Sequence, residues 1–195
     1  MALLALLGVV PGACASLPRT PPPAVAESAR TATNYSAALA VSMRGPELRA
    51  RTRALVAFER PGRMRLEIPG PTGLRFVAVA AGERLLAVFP GERAVFRSGA
   101  TAGEMERLIG VALTPAEMMD ALLGMAPADV RSYDARWGPR LPSRVVTTLR
   151  DGTWLRLEVE GPEAGVSLPA EAFAEPPHAG YRTVSAAEAR RLWSR

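Results

Sequence analysis

The residues that could do chemistry are few. Cys14 is the only cysteine and His178 the only histidine. One thiol cannot form an intrachain disulfide, and one Cys with one His cannot build a His/Cys metal site. No Gly-x-Ser-x-Gly, Ser-x-x-Lys or Gly-rich phosphate loop occurs. His178 lies in Pro-Pro-His-Ala-Gly and reads as a solvated loop residue. Glu158 and Glu160 share a strand face and read as solvated surface. The sequence therefore implies no enzyme, no metal and no cofactor. Cys14 is different. It closes an apolar stretch, Leu3 to Val10, followed by Pro11-Gly12-Ala13. A stretch that short cannot span a bilayer, and with small residues before the cysteine it reads as an export signal.

Gly12-Ala13-Cys14 resembles the lipobox of bacterial lipoproteins. The resemblance implies that the Cys14 thiol carries palmitate-like acyl chains and that residues 1–13 are removed as a signal peptide. The new α-amine would then be acylated too. Pro11 stands where the lipobox usually has Leu, and the first charge is Arg19. The alternatives are an ordinary cleaved signal, or an apolar N-terminus with a chance cysteine. Ala15 and Ser16 follow the cysteine. Neither is the Asp that retains lipoproteins at the inner membrane in enteric-like bacteria. The expected place is the outer membrane of a Gram-negative cell, lipid-anchored and facing the periplasm.

The remaining chain suits one domain with a real core. Hydrophobic residues make up 48% and charged residues 22%, which excludes whole-chain disorder. The net charge is +5, and every cation other than His178 is Arg. A solvated surface or anionic lipid headgroups account for it. Nucleic acid is excluded as a partner, because an exported chain without zinc-finger spacing or an aromatic RNA-binding motif has no means to read it.

The elements follow from the apolar period. Residues 14–33 read as the acylated cysteine and a tether. Pro18, Pro21, Pro22 and Pro23 keep its first half extended, and Ala24 to Thr33 forms a short helix. From Tyr35 the period is two. Ala54, Val56 and Phe58 alternate with Arg53, Leu55 and Ala57, and Met64, Leu66 and Ile68 alternate with Arg63, Arg65 and Glu67. Pro69-Gly-Pro-Thr-Gly73 breaks the run as a protruding loop outside any ladder. Three further strands follow, over 74–80, 84–89 and 93–97. Short strands joined by tight turns predict an antiparallel meander. The period then becomes helical. Thr101-x-x-Glu104 and Thr114-Pro-Ala-Glu117 are start signals for two short apolar helices, the second stopping at Gly124. Strands resume over 144–150 and 154–160 across Asp151-Gly152. Tyr181 to Val184 adds a last strand, and Ser185-x-x-Glu188 caps a C-terminal helix.

The order of these pieces resembles the Lol family, the bacterial lipoprotein-localisation carriers and outer-membrane receptors. Arg60-Pro-Gly-Arg-Met-Arg-Leu-Glu67 with Gly-Pro-Thr-Gly73 is similar to the family's third strand and following loop. Ile109-Gly-Val-Ala-Leu-Thr-Pro115 through Leu122-Leu-Gly-Met-Ala-Pro127 is similar to its helical insertion. Leu141-Pro142 before the Asp151-Gly152 hairpin also fits. Leu168-Pro-Ala-Glu-Ala-Phe173 through Gly180 resembles the end of related lipoproteins. The resemblance implies an α+β, mainly β fold over residues 34–195. This is a strongly curved antiparallel sheet, an unclosed half-barrel with short helices as a lid (LolA/LolB-like). It also implies an apolar concavity that holds acyl chains of a lipoprotein or lipid. The candidate lining is Met64, Leu66, Ile68, Leu74, Phe76, Leu85, Phe89, Met118, Met119, Leu122 and Met125, with methionines suited to flexible chains. The family's receptors carry an apolar loop residue for membrane insertion of cargo where this chain has Thr72, within Pro69, Gly70, Pro71, Thr72 and Gly73. A different reading is a structural or regulatory lipoprotein that binds another envelope protein through the same fold.

Overall fold

Alternation decides which way each strand faces. In β2 (Arg49–Glu59) the side chains of Ala54, Val56 and Phe58 are buried, while Arg49, Arg51, Arg53 and Leu55 are exposed. In β3 (Arg63–Gly70) Met64, Leu66 and Ile68 are buried. The computed structural model describes residues 20–46, 48–71 and 73–194; the proposed signal segment, Cys14 and Thr72 lie outside them. Helix α1 (Pro23–Thr31) leads into β1 (Asn34–Arg44), and the meander continues through β4 (Gly73–Ala81), β5 (Arg84–Phe89) and β6 (Ala94–Gly99). Helices α2 (Ala102–Ile109) and α3 (Pro115–Leu122) follow. The second half of the sheet is β7 (Val130–Trp137), β8 (Pro142–Leu149) and β9 (Trp154–Ala164). A short strand β10 (Arg182–Thr183) and helix α4 (Ala186–Trp193) end the described chain.

All ten strands form one sheet, in the order β10-β6-β5-β4-β3-β2-β1-β9-β8-β7. β7 and β10 are its two edges and do not pair, so the barrel is unclosed. Every pairing is antiparallel except the two-residue parallel contact of β10 with β6. The two meanders join where β1 pairs with β9, in the register Leu39↔Val159, Val41↔Leu157 and Met43↔Leu155. The sheet is curved: α3 packs against both β3 and β8, which are separated in the sheet by β2, β1 and β9. Side-chain size on the inner face permits this. One inner row runs Ala37–Val56–Leu66–Ala78–Ala87–Phe96 across six strands, with small alanines between the larger residues.

The outer face of β4 to β6 is covered as well. Leu86, Val88 and Val95 form a second small cluster on which Tyr181 packs. Arg63 lies over the Phe173 ring at 4.5 Å, which fastens the covering segment. His178 helps to hold it. Arg97 can only donate, so the His178 Nε2 accepts from it at 2.8 Å and Nδ1–H donates to the Pro176 carbonyl at 2.8 Å. The loop histidine is thus fastened at both nitrogens rather than simply solvated.

Two expectations change in detail. The ladder does not stop at Ile68; after a register shift it continues through Pro69↔Leu74 and Gly70↔Gly73. Pro69 and Gly70 therefore belong to β3 and Gly73 to β4, where Gly73 takes φ +131°. A bulge is one of the places where a ladder tolerates proline. Strand β7 was absent from the sequence reading. As an edge strand it leaves Arg131 and Ser132 exposed and shows little alternation.

Glu158 on β9 is only partly exposed. Its carboxylate accepts from Arg144 Nε at 2.8 and 2.9 Å and from Arg156 Nε at 2.7 Å. Burial by itself would raise its pKa; the hydrogen bonds and charges of Arg144 and Arg156 outweigh that and hold it below the ordinary carboxylate value. A depressed folded pKa adds stability above the unfolded pKa and loses it as pH falls through the folded one. Glu158→Gln should be less stable than wild type at neutral pH, with the gap closing on acidification. Urea midpoints at a series of pH values measure this, and a gap independent of pH would refute it.

Candidate functional site

The inner face of β8, β9, β1, β2 and β3 carries an apolar cavity roofed by the helices. Its floor follows the strand registers. Val145, Leu157, Val41 and Thr52 form one row, and Thr147, Leu155 and Met43 the next. Ala54 and Leu66 complete the sheet side. The roof is Ile109 at the end of α2, Val111 and Leu113 in the linker, Met118, Ala121 and Leu122 of α3, and Trp193 of α4. Thr147 does not make the floor polar, because its hydroxyl donates to the Ser132 carbonyl at 2.9 Å.

Local sequence fixes the roof. Thr114 and Glu117 make a reciprocal capping box: Thr114 Oγ1 accepts from Glu117 N–H at 3.2 Å, and the Glu117 carboxylate accepts from Thr114 N–H at 2.8 Å. Pro115 occupies the first helical turn, where its missing N–H costs nothing. Gly124 ends α3 with φ +87°, a backbone that favours glycine. Thr101 and Ser185 cap α2 and α4 with the hydroxyl alone, accepting from Glu104 N–H and Glu188 N–H at 3.3 Å each. Two polar ties hold α3 to the sheet. Asp120 forms an ion pair with Arg60 of the β2–β3 turn, and Tyr133 of β7 donates to the Ala121 carbonyl at 2.7 Å. Burial pushes the Tyr133 phenol pKa up, with the Asp134 charge adding to it, so the hydroxyl remains a donor.

The cavity measures about 70 Å³. Ligand pockets span roughly 300–1,000 Å³. The helices themselves fill most of the concavity. Helix α3 is held over it by Arg60–Asp120, the Tyr133–Ala121 hydrogen bond and apolar packing.

The sequence-derived lining residues separate into groups. Leu66, Met118 and Leu122 line the cavity. Met64, Ile68, Phe76, Leu85, Phe89 and Met119 are buried in the contiguous core beside it, and half-buried Met125 packs against that core. Leu74 is 39% exposed, next to the β3–β4 turn. The sequence reading missed the β8–β9–β1 half of the floor. The alternation of Leu155 and Leu157 was the available signal, but which strand they would lie beside was not. Trp193 was also missed as a roof residue. Its indole N–H is buried without an acceptor among the described residues.

Among the described residues no group of three or more His, Cys, Asp or Glu is placed to hold a metal ion, and no helix is long and apolar enough to cross a membrane. The exposed large apolar side chains among the described residues, Leu55 of β2, Leu74 of β4 and Val166 in the loop after β9, stand apart in the chain. Single exposed residues of that kind are ordinary.

No family model matches the chain, and no curated protein matches it. Solved structures do. The crystal structure of a LolA superfamily protein from Nitrosomonas europaea is 10% identical and aligns with a TM-score of 0.46, covering 78% of this chain and 96% of that one. A DUF1329 family protein from Desulfovibrio piger is 10% identical with a TM-score of 0.39, covering 80% of this chain and 95% of that one.

Proposed function

We propose that the protein is a lipid-anchored lipoprotein of the outer membrane, facing the periplasm, whose apolar cavity binds acyl chains of a lipoprotein or lipid. Its role on this reading is in lipoprotein localisation or outer-membrane biogenesis. The observation that carries the reading is the cavity itself, a concavity with an entirely apolar wall on the inner face of an unclosed sheet. Such a concavity is a default ligand site, and hydrocarbon is the ligand chemistry that asks for no polar partner. Cys14 is the proposed anchor and Thr72 the loop residue that leaves it without full insertion activity toward cargo.

Titration of the full-length protein with a fluorescent fatty-acid probe tests the cavity. Saturable binding is the expected result, and no binding would end the acyl reading. Cys14→Ser tests the anchor. Cells fed radioactive palmitate should label the wild-type protein and leave the variant unlabelled, and equal label in both would refute the lipidation. Fractionation of the wild-type protein to the inner membrane would refute the proposed location.

A further inference from the structure

The apolar cavity has a neighbour on the far side of Met43. Met43 lines it and also lines an adjoining pocket of about 160 Å³ with Leu48, Gly110 and Arg190. Leu48 and Arg190 in turn line an open groove of about 690 Å³ that has Arg107 and Arg191 on its walls. Three concavities thus run in series through shared side chains, from apolar interior to basic surface.

The partition between them is thin. Gly110 is the left-handed cap of α2, with φ +75°. A Cβ placed there would lie 3.0 Å from Leu48 Cδ2 and 3.5 Å from Met43 Cε. Two apolar side chains, one of them the adaptable Met43, therefore meet over bare backbone at this point. Among the described residues the acids near the opening are Glu104, Glu106 and Asp151. Glu104 pairs with Arg107, and Glu106 and Asp151 share the intermediate pocket with Arg190. Asp151 already accepts from Thr153 N–H at 2.8 Å and from the Thr153 hydroxyl at 2.6 Å. Trp193, one turn beyond Arg190, lines the cavity from the same helix.

We propose that the groove between α2 and α4 is a headgroup site, which takes the anionic head of an amphiphile whose acyl chain passes Met43 and Leu48 into the cavity. The proposal rests on the acyl-binding reading and names its ligand class: a chain ending in a carboxylate or phosphate. Hydrocarbon needs the dry wall and the head needs water and cations, and the series of concavities supplies both in the right order. Guanidinium groups suit either oxyanion because their planar fork donates two hydrogen bonds at once.

The test uses the full-length protein at low ionic strength with 11-(dansylamino)undecanoic acid and its methyl ester, identical chains with and without the charge. Wild type should bind the acid about tenfold or more tightly than the ester, as loss of a charged hydrogen-bonding partner implies. In the Arg190→Gln/Arg191→Gln variant, its fold checked by circular dichroism because Arg190 is half-buried, acid and ester should bind alike, at the affinity wild type shows for the ester. Lysophosphatidic acid should displace the acid probe, while inorganic phosphate and acetate at the same concentration should not. Equal binding of acid and ester by wild type would overturn the headgroup site and leave the cavity standing. Unchanged discrimination in the variant would also overturn it. Displacement by phosphate alone would make the groove a small-anion site and overturn the amphiphile. Binding of neither probe would refute the acyl reading itself.

Discussion

Leu66→Glu should lose the binding of a fluorescent acyl probe, by about a hundredfold or more. Leu66 is in the middle of β3, 6% exposed, and lines the cavity beside α3. A carboxylate there has no cation to meet, since the cavity wall is apolar throughout. An uncompensated buried charge costs several kcal/mol, and each 1.4 kcal/mol is a factor of ten in affinity. The same charge strains the fold, so circular dichroism and a urea midpoint must accompany the titration. Met118→Glu keeps the test sharp if Leu66→Glu does not fold. Met118 lines the same cavity from α3 but is half-buried, so its charge can reach water when the roof is closed. A folded variant of either kind that binds the probe normally would show that the cavity does not hold the chain.

Gly124→Ala should destabilise the protein by about 2–5 kcal/mol, the sum of a left-handed backbone penalty of about 1–2 kcal/mol and an overpacking penalty of about 1–3 kcal/mol. Gly124 ends α3 at φ +87°, and a Cβ there would lie 2.2 Å from Trp137 Cζ2. The indole belongs to β7 and is itself buried, so it cannot swing aside freely. For a chain of this size the thermal midpoint should fall by roughly 4–20 °C. Gly82→Ala is the control. Gly82 also has positive φ, +59°, but nothing lies within 4 Å of its Cβ position. It should suffer the backbone penalty alone. If the two variants melt together, the Trp137 contact contributes nothing to closing the roof.

The strands, turns and caps were legible because their signals are local. Met64-x-Leu66-x-Ile68 alternates for the simple reason that one face of β3 is buried and the other is not. Thr114-Pro-Ala-Glu117 announces a helix start, since both halves of its capping box lie within four residues. Where burial is one-sided only in part, the pattern fades. β7 is an edge strand and β4 is buried on both faces along most of its length, so neither alternates cleanly.

What the sequence by itself determined is the list of apolar faces, the two helices between them and the shortage of catalytic groups. The site needed the tertiary structure. β1 and β9 are separated by more than a hundred residues, and their pairing places Val41 beside Leu157 and Met43 beside Leu155. That pairing selects which apolar residues become cavity wall and which become packed core. Met64 and Ile68 have the same apolar character and spacing as Leu66, yet they are covered completely, whereas Leu66 borders the space under α3. The roof's ties are equally non-local: Arg60 reaches Asp120 and Tyr133 reaches Ala121 only once the sheet has curved. Periodicity reports that a face is apolar; the curvature of the sheet and the lengths of its covering helices decide how completely that face is filled.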